Sequence, residues 1–370
     1  MIAVVTCGHR PDDERIYERE IKTLLKAGYK ITYFTRWAGD NYLSEENLWH
    51  RNYSQKDISI RDYIQAILKD FQVLKPSVVH IHEFELLPLA KKAKRVYSSK
   101  IIYDVHDTLR AMWDTFSSKN RLFKNMVNKS LSAFEMYYLK YVDEIILANK
   151  IFDQNIYAGK ELRTTVVENF PKLNNIAKKL KLSEPYIILY QGQVSEDRGI
   201  LILVDAFIKT INEFSGVRLK ILGPVRSREF MEILQEKINK SNLSNEIELI
   251  GEIQHKEVWN YMEEAYIGVI PSLRTPRVMV DTPTKLFEYM ATRCAVIATD
   301  VPPLSYFLKD AGELVQPGSI DELANGILKI IKNKKLFSRY TTEGIKLINE
   351  KYNWKNVEPT LLDIYRKVIS

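Results

Sequence analysis

Two cysteines in 370 residues, Cys7 and Cys294, stand near opposite ends of the chain. That is too few for a disulfide framework, and no Cys/His spacing of the zinc-holding kind occurs. No run of 18 or more apolar residues appears, which excludes a helical membrane span. The opening Met1-Ile-Ala-Val-Val-Thr lacks a basic start, so no export signal is expected and the thiols are expected to be reduced in the cytoplasm. There is no G-x-G-x-x-G fingerprint, which weakens a dinucleotide-dependent oxidoreductase reading. There is no Asp-x-Asp pair to hold a divalent ion against phosphates, no low-complexity tract and no short-period repeat.

What is present describes a globular protein. Apolar residues make up 45% and charged residues 27%, and the length allows two domains of common size. The net charge of +7 is unevenly spread: residues 91–129 hold ten Lys/Arg against three Asp, an excess equal to that of the whole chain. This basic block, continuing to Tyr141, is interleaved with Trp113, Phe116, Leu122, Phe123, Met126, Val127 and Leu131. Cations mixed with aromatics fit an interfacial helix on an anionic membrane, and segment 91–141 is expected to lie on the inner face of the cytoplasmic membrane. A core-facing helix with a solvated basic side is the plain alternative. Nucleic acid is not expected as a partner, because no nucleic-acid module accompanies the charge.

Strand-like runs alternate with amphipathic stretches, the pattern of parallel α/β sheets. In the first half they are Ile2–Thr6, Lys30–Phe34, Val78–His82, Ile101–Val105 and Glu144–Ala148. The pattern restarts at Tyr186–Tyr190, Arg218–Leu222, Ile247–Ile250, Gly268–Ile270 and Ala295–Ala298. This predicts domains over residues 1–170 and 186–350, a linker at 171–185, and a terminal helical segment at 351–370 that closes the second domain or crosses back to the first.

Ligands of such sheets bind beyond the carboxyl ends of strands, so residues just after strands carry the functional signal. Gly8 follows the first strand, with His9, Asp13 and Arg15 beyond it; Arg15 on a first helical turn calls for an anionic partner, substrate or Asp13. His82 and His106 end two strands of the same half, where an imidazole can donate to a sugar hydroxyl. Gly192 allows close backbone approach, and Arg198 before a helix suits a pyrophosphate. Arg274 and Arg277 lie in a loop placed to meet a donor sugar. In Thr282-Pro-Thr-Lys285-Leu-Phe-Glu288, Lys285 and Glu288 share a helical face. A proline-opened helix start suits an anion there, and a carboxylate one turn on suits vicinal ribose hydroxyls. Two cations for two phosphates, Arg198 and Lys285, are more specific together than either alone.

In order and spacing these pieces resemble the retaining glycosyltransferases of GT-B fold, family 4 (glycosyl transferases group 1), over nearly the whole chain. The resemblance implies an α/β protein of two Rossmann-like domains facing across a cleft. It implies a hexosyltransferase-type enzyme that moves a sugar from a UDP- or GDP-sugar to a glycan or lipid-linked hydroxyl, as in polysaccharide biosynthesis, without cofactor or metal. It assigns catalysis to His106, Arg198 and Lys285, and nucleotide-sugar binding to Gly8, Gly192, Arg198, Arg274, Asp281, Lys285 and Glu288. His9, Arg15 and His82 fall on the acceptor side. The sequence departs from the pattern in two places. Val280 stands where many members carry the first Glu of E-x7-E, leaving the adjacent Asp281 as substitute, and Gln193 replaces the usual Arg after Gly192. A GT-B epimerase would need acid/base carboxylates that are not evident; a non-catalytic nucleotide-sugar scaffold is the alternative from another class.

Overall fold

The structure, a computed structural model, describes residues 1–39, 42–105, 109–150, 157, 162–173, 183–225 and 227–370, with His255 and Lys256 described by backbone alone. The chain divides into two compact units: Met1–Lys172 together with Trp354–Ser370, and Leu173–Asn353.

In the first unit, seven strands form one parallel sheet: β1 Ile2–Val5, β2 Ile31–Arg36, β3 Leu48–Tyr53, β4 Val78–Ile81, β5 Lys100–Val105, β6 Glu144–Leu147 and β7 Thr164–Val166, in the order β3-β2-β1-β4-β5-β6-β7. Central strands are apolar on both faces because helices cover both: all four residues of β1 and of β4 are buried. Register sets Val5 between Phe34 and Ile81. The covering helices follow their sequence signals. Helix Ile60–Leu74 starts at Ser59, whose side chain accepts from Asp62 N, and buries Tyr63, Ile64, Ile67 and Phe71, a stripe of helical period.

The second unit has six parallel strands: β8 Tyr186–Gln191, β9 Val217–Leu222, β10 Ile247–Gly251, β11 Ile267–Ile270, β12 Ala295–Thr299 and β13 Gly312–Val315, ordered β10-β9-β8-β11-β12-β13. Its core joins strand residues Ile188, Leu219, Ile267 and Ile297 to Val204, Phe207, Ile327 and Phe337 from the helices.

Both sheets are doubly wound, and in each the direction of strand succession reverses once, between β1 and β4 and between β8 and β11. Such a switch point is where the loops after two neighbouring strands part and leave room for a ligand. Three strands were not expected from the sequence: β3, β7 and β13. All three lie at sheet edges.

The terminal helix Trp354–Ile369 belongs to the first unit. Trp354 donates Nε1–H to Thr23 Oγ1 at 2.9 Å, and Tyr365 pairs its hydroxyl with His80 Nδ1 at 2.7 Å. Its Pro359 lies inside the helix.

Candidate active site

At the β8/β11 switch point, the loops after both strands are tied together before any ligand is considered. Leu273 N donates to Asp197 O at 2.9 Å. Gly199, at φ +70°, lies so close to the Pro271 carbonyl that a Cβ would fall 1.9 Å from its oxygen; only glycine is tolerated there.

Lys285, Glu288, Arg198 and Gly192 converge on this point. The Lys285 ammonium lies 4.4 Å from the Tyr190 ring centroid, a cation–π contact. It also rests against Gly192, at φ +119°, where a Cβ would stand 2.4 Å from Nζ. Glu288 is buried and accepts from Gln191 Nε2 at 2.9 Å. Gln191 N in turn donates to the Tyr289 hydroxyl at 2.9 Å, and that hydroxyl donates to Leu189 O at 3.2 Å. The helix Lys285–Ala291 is therefore locked to the end of β8 by Gln191 on two of its residues.

Burial, followed by the like charge of Arg198, brings the Lys285 ammonium down to about 7, against the opposing pull of Glu288 and Asp281. Arg198 is itself largely buried; burial opposes its charge, but Asp281 and its other neighbours more than offset that. Its Nη2 donates to Asp281 Oδ2 at 3.2 Å, and Nε lies 3.9 Å from Asp197 Oδ2. Arg277 Nε is 4.0 Å from the same Asp281 oxygen. Arg274 is exposed on the loop after β11.

In the first unit, the turn after β1 is organised by a residue not singled out for a role from sequence. Glu83, just after β4, accepts from Cys7 N at 3.0 Å, from Gly8 N at 3.1 Å and from the Thr6 hydroxyl. The backbone N–H groups of Cys7 and of Gly8, a position the resemblance assigns to nucleotide-sugar binding, thus meet a carboxylate of the protein. Gly8 needs no left-handed backbone, and a Cβ there would meet Glu83 at an ordinary 3.7 Å. His9 lies at this turn, with Nδ1 3.2 Å from Asp13 and Nε2 3.9 Å from Glu83.

Arg15 and His82, expected on the acceptor side, are instead turned into the interior. Arg15 is 3% exposed. It donates from Nη2 to Asp104 at 2.7 Å and from Nη1 to Val167 O at 3.1 Å, and its Nε stands 3.1 Å from Glu20. Asp13 caps the helix, accepting from Arg15 N and Ile16 N at 2.8 and 2.9 Å, and its charge is among those that favour the Arg15 guanidinium. His82 Nε2 is 3.8 Å from Glu20, and its ring lies tilted against that of His80, with centroids 4.3 Å apart. The donor atoms of Glu20, His80, His82 and Asp104 lie within 4.8 Å of one another, a spacing a metal ion would accept. The guanidinium of Arg15 is bonded to Asp104 and stands beside Glu20. His106 falls outside the described residues.

The two doubly wound units place the chain in the GT-B fold, and solved structures agree. It superposes on sucrose-phosphate synthase from Thermosynechococcus elongatus with TM-score 0.80 at 17% identity, covering 99% of this chain and 98% of that one. It superposes on HepE of Anabaena, solved in complex with UDP and glucose, with TM-score 0.78 at 15% identity, covering 99% of both. Residues 171–347, just under half of the chain, match the model of the family described as Glycosyl transferases group 1. Among curated relatives, the lipopolysaccharide 1,2-N-acetylglucosaminetransferase of Salmonella typhimurium is 26% identical over 193 residues, 50% of this chain and 49% of the relative. The phosphatidyl-myo-inositol mannosyltransferase of Mycobacterium leprae is 26% identical over 184 residues, 49% of this chain and 46% of the relative. The matched region thus spans about half the length of these relatives.

Proposed function

We propose that the chain is a retaining glycosyltransferase that moves a sugar from a nucleoside-diphosphate sugar to a hydroxyl of a glycan or lipid-linked acceptor. The observation that carries this reading is the convergence of Arg198, Lys285 and Glu288 at one switch point. Two buried cations suit a diphosphate, and a buried carboxylate one turn from the lysine suits ribose hydroxyls. As the glycosidic bond to the diphosphate breaks, negative charge grows on the leaving phosphate. Arg198 and Lys285 are held in place to meet it, and placed donors in a poorly solvated site stabilise such charge without reorganising. No metal is assigned to this step. Retention is attributed to attack from the leaving-group face, assisted by the departing phosphate, with His106 at the donor sugar as the family resemblance implies.

A uridine donor is supported by the neighbour solved with UDP and glucose; a guanosine donor is the other member of the proposed class. A glycan or lipid acceptor is supported by relatives whose names specify lipopolysaccharide and phosphatidyl-myo-inositol. No helix among the described residues is long and apolar enough to cross a membrane. Contact with an anionic membrane is assigned to the helices Leu109–Phe116 and Arg121–Leu139. The first buries no residue and the second only Glu135 and Leu139, while Phe116, Leu122, Phe123 and Met126 are exposed.

The test is a thermal-shift panel with UDP, GDP, TDP, ADP and CMP on wild type and Glu288→Ala. One nucleoside diphosphate is expected to raise the wild-type Tm, with the shift lost in the variant. Release of that diphosphate from its sugar donor, abolished in His106→Ala, separates a transferase from a binder. No shift with any nucleotide overturns the reading.

A further inference from the structure

Among the described residues, three cations at the β8/β11 switch point face carboxylates of the protein itself. Arg198, Arg277 and Lys285 face Asp197, Asp281 and Glu288. An entering diphosphate adds at least two negative charges here, so a carboxylate that already holds one of these cations competes with it.

The three carboxylates are not equally free to yield. Asp197 is buried and fixed on the same short turn as Arg198, with Ser195 Oγ donating to it at 2.5 Å. Glu288 is buried in the helix and bonded to Gln191. Asp281 has a side chain 35% exposed, one bond to Arg198, and Arg277 4.0 Å away on the preceding turn. It has both a route out and a second cation to receive it.

We propose that Asp281 is the exchangeable counter-ion of this pocket: its carboxylate holds Arg198 until a diphosphate takes its place, then passes to Arg277. This rests on the nucleotide-diphosphate reading of the site and adds to it a residue that limits donor affinity. It also gives Asp281 a role other than contact with the donor sugar. Asp197 stays beside Arg198 throughout, so loss of Asp281 does not strand the guanidinium. The exchange makes binding selective for ligands with charge at Arg198, since only these displace the carboxylate.

The test uses the full chain as wild type, Asp281→Asn and Asp281→Ala, titrated calorimetrically with the nucleoside diphosphate that stabilises the wild type, its sugar donor, and the uncharged nucleoside. Both variants are expected to bind the diphosphate roughly two- to fivefold more tightly, the scale of one partly exposed ion pair, with nucleoside binding unchanged. Equal or weaker diphosphate binding in both variants overturns the proposal and leaves the site assignment standing. Unchanged diphosphate binding with weaker sugar-donor binding overturns it in favour of a donor-sugar contact. If the wild type and Glu288→Ala fail alike to bind any diphosphate in the panel, the site assignment itself falls, and this proposal with it.

Discussion

The Lys285 ammonium rests on the bare Cα of Gly192, with the Tyr190 ring beneath it. The relationship is steric before it is electrostatic. Gly192 holds φ +119° and is crossed by a second close approach, since a Cβ on Gly223 would fall 2.0 Å from the Gly192 oxygen. The turn after β8 is therefore shaped to bring a buried cation against backbone, and two glycines make that shape.

Gly192→Ala tests this. The new methyl would lie 2.4 Å from Nζ in a backbone region that L side chains rarely adopt, so it costs about 1 kcal/mol or more in stability and displaces the lysine. Nucleoside-diphosphate binding is expected to weaken at least tenfold by calorimetry. Gly8→Ala, where the added atom meets only ordinary contacts, should leave Tm within about 1 °C of wild type, a change below the scale of a lost core contact.

Lys285 should give the proposed donor binding a pH dependence. In the folded chain its ammonium titrates near 7, below the ordinary lysine value, chiefly through burial. Above pH 7 the unfolded chain binds more protons there, so the cost of burying the charge, fully present below pH 7, is relieved as pH rises towards the ordinary lysine range. Ligand binding runs the other way. A diphosphate favours the ammonium and raises its value, so affinity should fall between pH 7 and 9, with uptake of up to one proton. Calorimetry in two buffers of different ionisation enthalpy reads that uptake. Lys285→Arg, permanently charged, should abolish the pH slope.

How far the sequence showed this arrangement depends on where each residue finds its partner. Central strands such as Ile2–Val5 and Ala295–Thr299 were legible because both faces are buried and the run is apolar throughout. Three of the four edge strands were not. Leu48–Tyr53 carries exposed Trp49 and polar His50, Arg51 and Asn52, since only part of it meets the core, and Thr164–Val166 is three residues long. Arg198, Lys285 and Glu288 stood out because their segments have a recognisable order along the chain. Arg15 remained open between substrate and protein because the carboxylate that binds it, Asp104, lies 89 residues away. Glu83 was visible in His-Ile-His-Glu, but its task is set by two backbone N–H groups of a turn 75 and 76 residues earlier, and no local pattern announces that.

Glu168 gives the first unit a stability that depends on pH. It stands among residues held by two buried arginines: Arg15 donates to Val167 O at 3.1 Å, and Arg19 to Phe170 O at 2.7 Å. Burial pushes its carboxyl up to about 7, with Lys150 and Arg15 opposing. The folded value lies above the unfolded one, so its contribution is fully present below about pH 4.5 and is lost as pH rises through 7. Glu168→Gln removes the titration. Urea unfolding should show it more stable than wild type at pH 8, by up to about 3 kcal/mol, and nearly equal at pH 4.5. A constant difference across that range would count against a buried carboxyl as the source.

The exposed helical pair should separate its two modes of membrane contact. Leu122 and Met126 are 82% and 57% exposed, so Leu122→Ser with Met126→Ser should change stability by no more than about 0.5 kcal/mol per site. The same pair should weaken binding to anionic vesicles about tenfold or more, because each side chain would lose apolar burial in the interface. Lys119, Arg121 and Lys129 are exposed beside them. Changing these three to Gln should lower anionic-vesicle binding while flattening its salt dependence, since each cation near a charged leaflet adds a screened attraction. Flotation with phosphatidylglycerol and phosphatidylcholine vesicles at two salt concentrations reads both effects. Wild-type protein left in the soluble fraction with both lipids would remove the membrane from the proposed function and leave the apolar face to a protein partner.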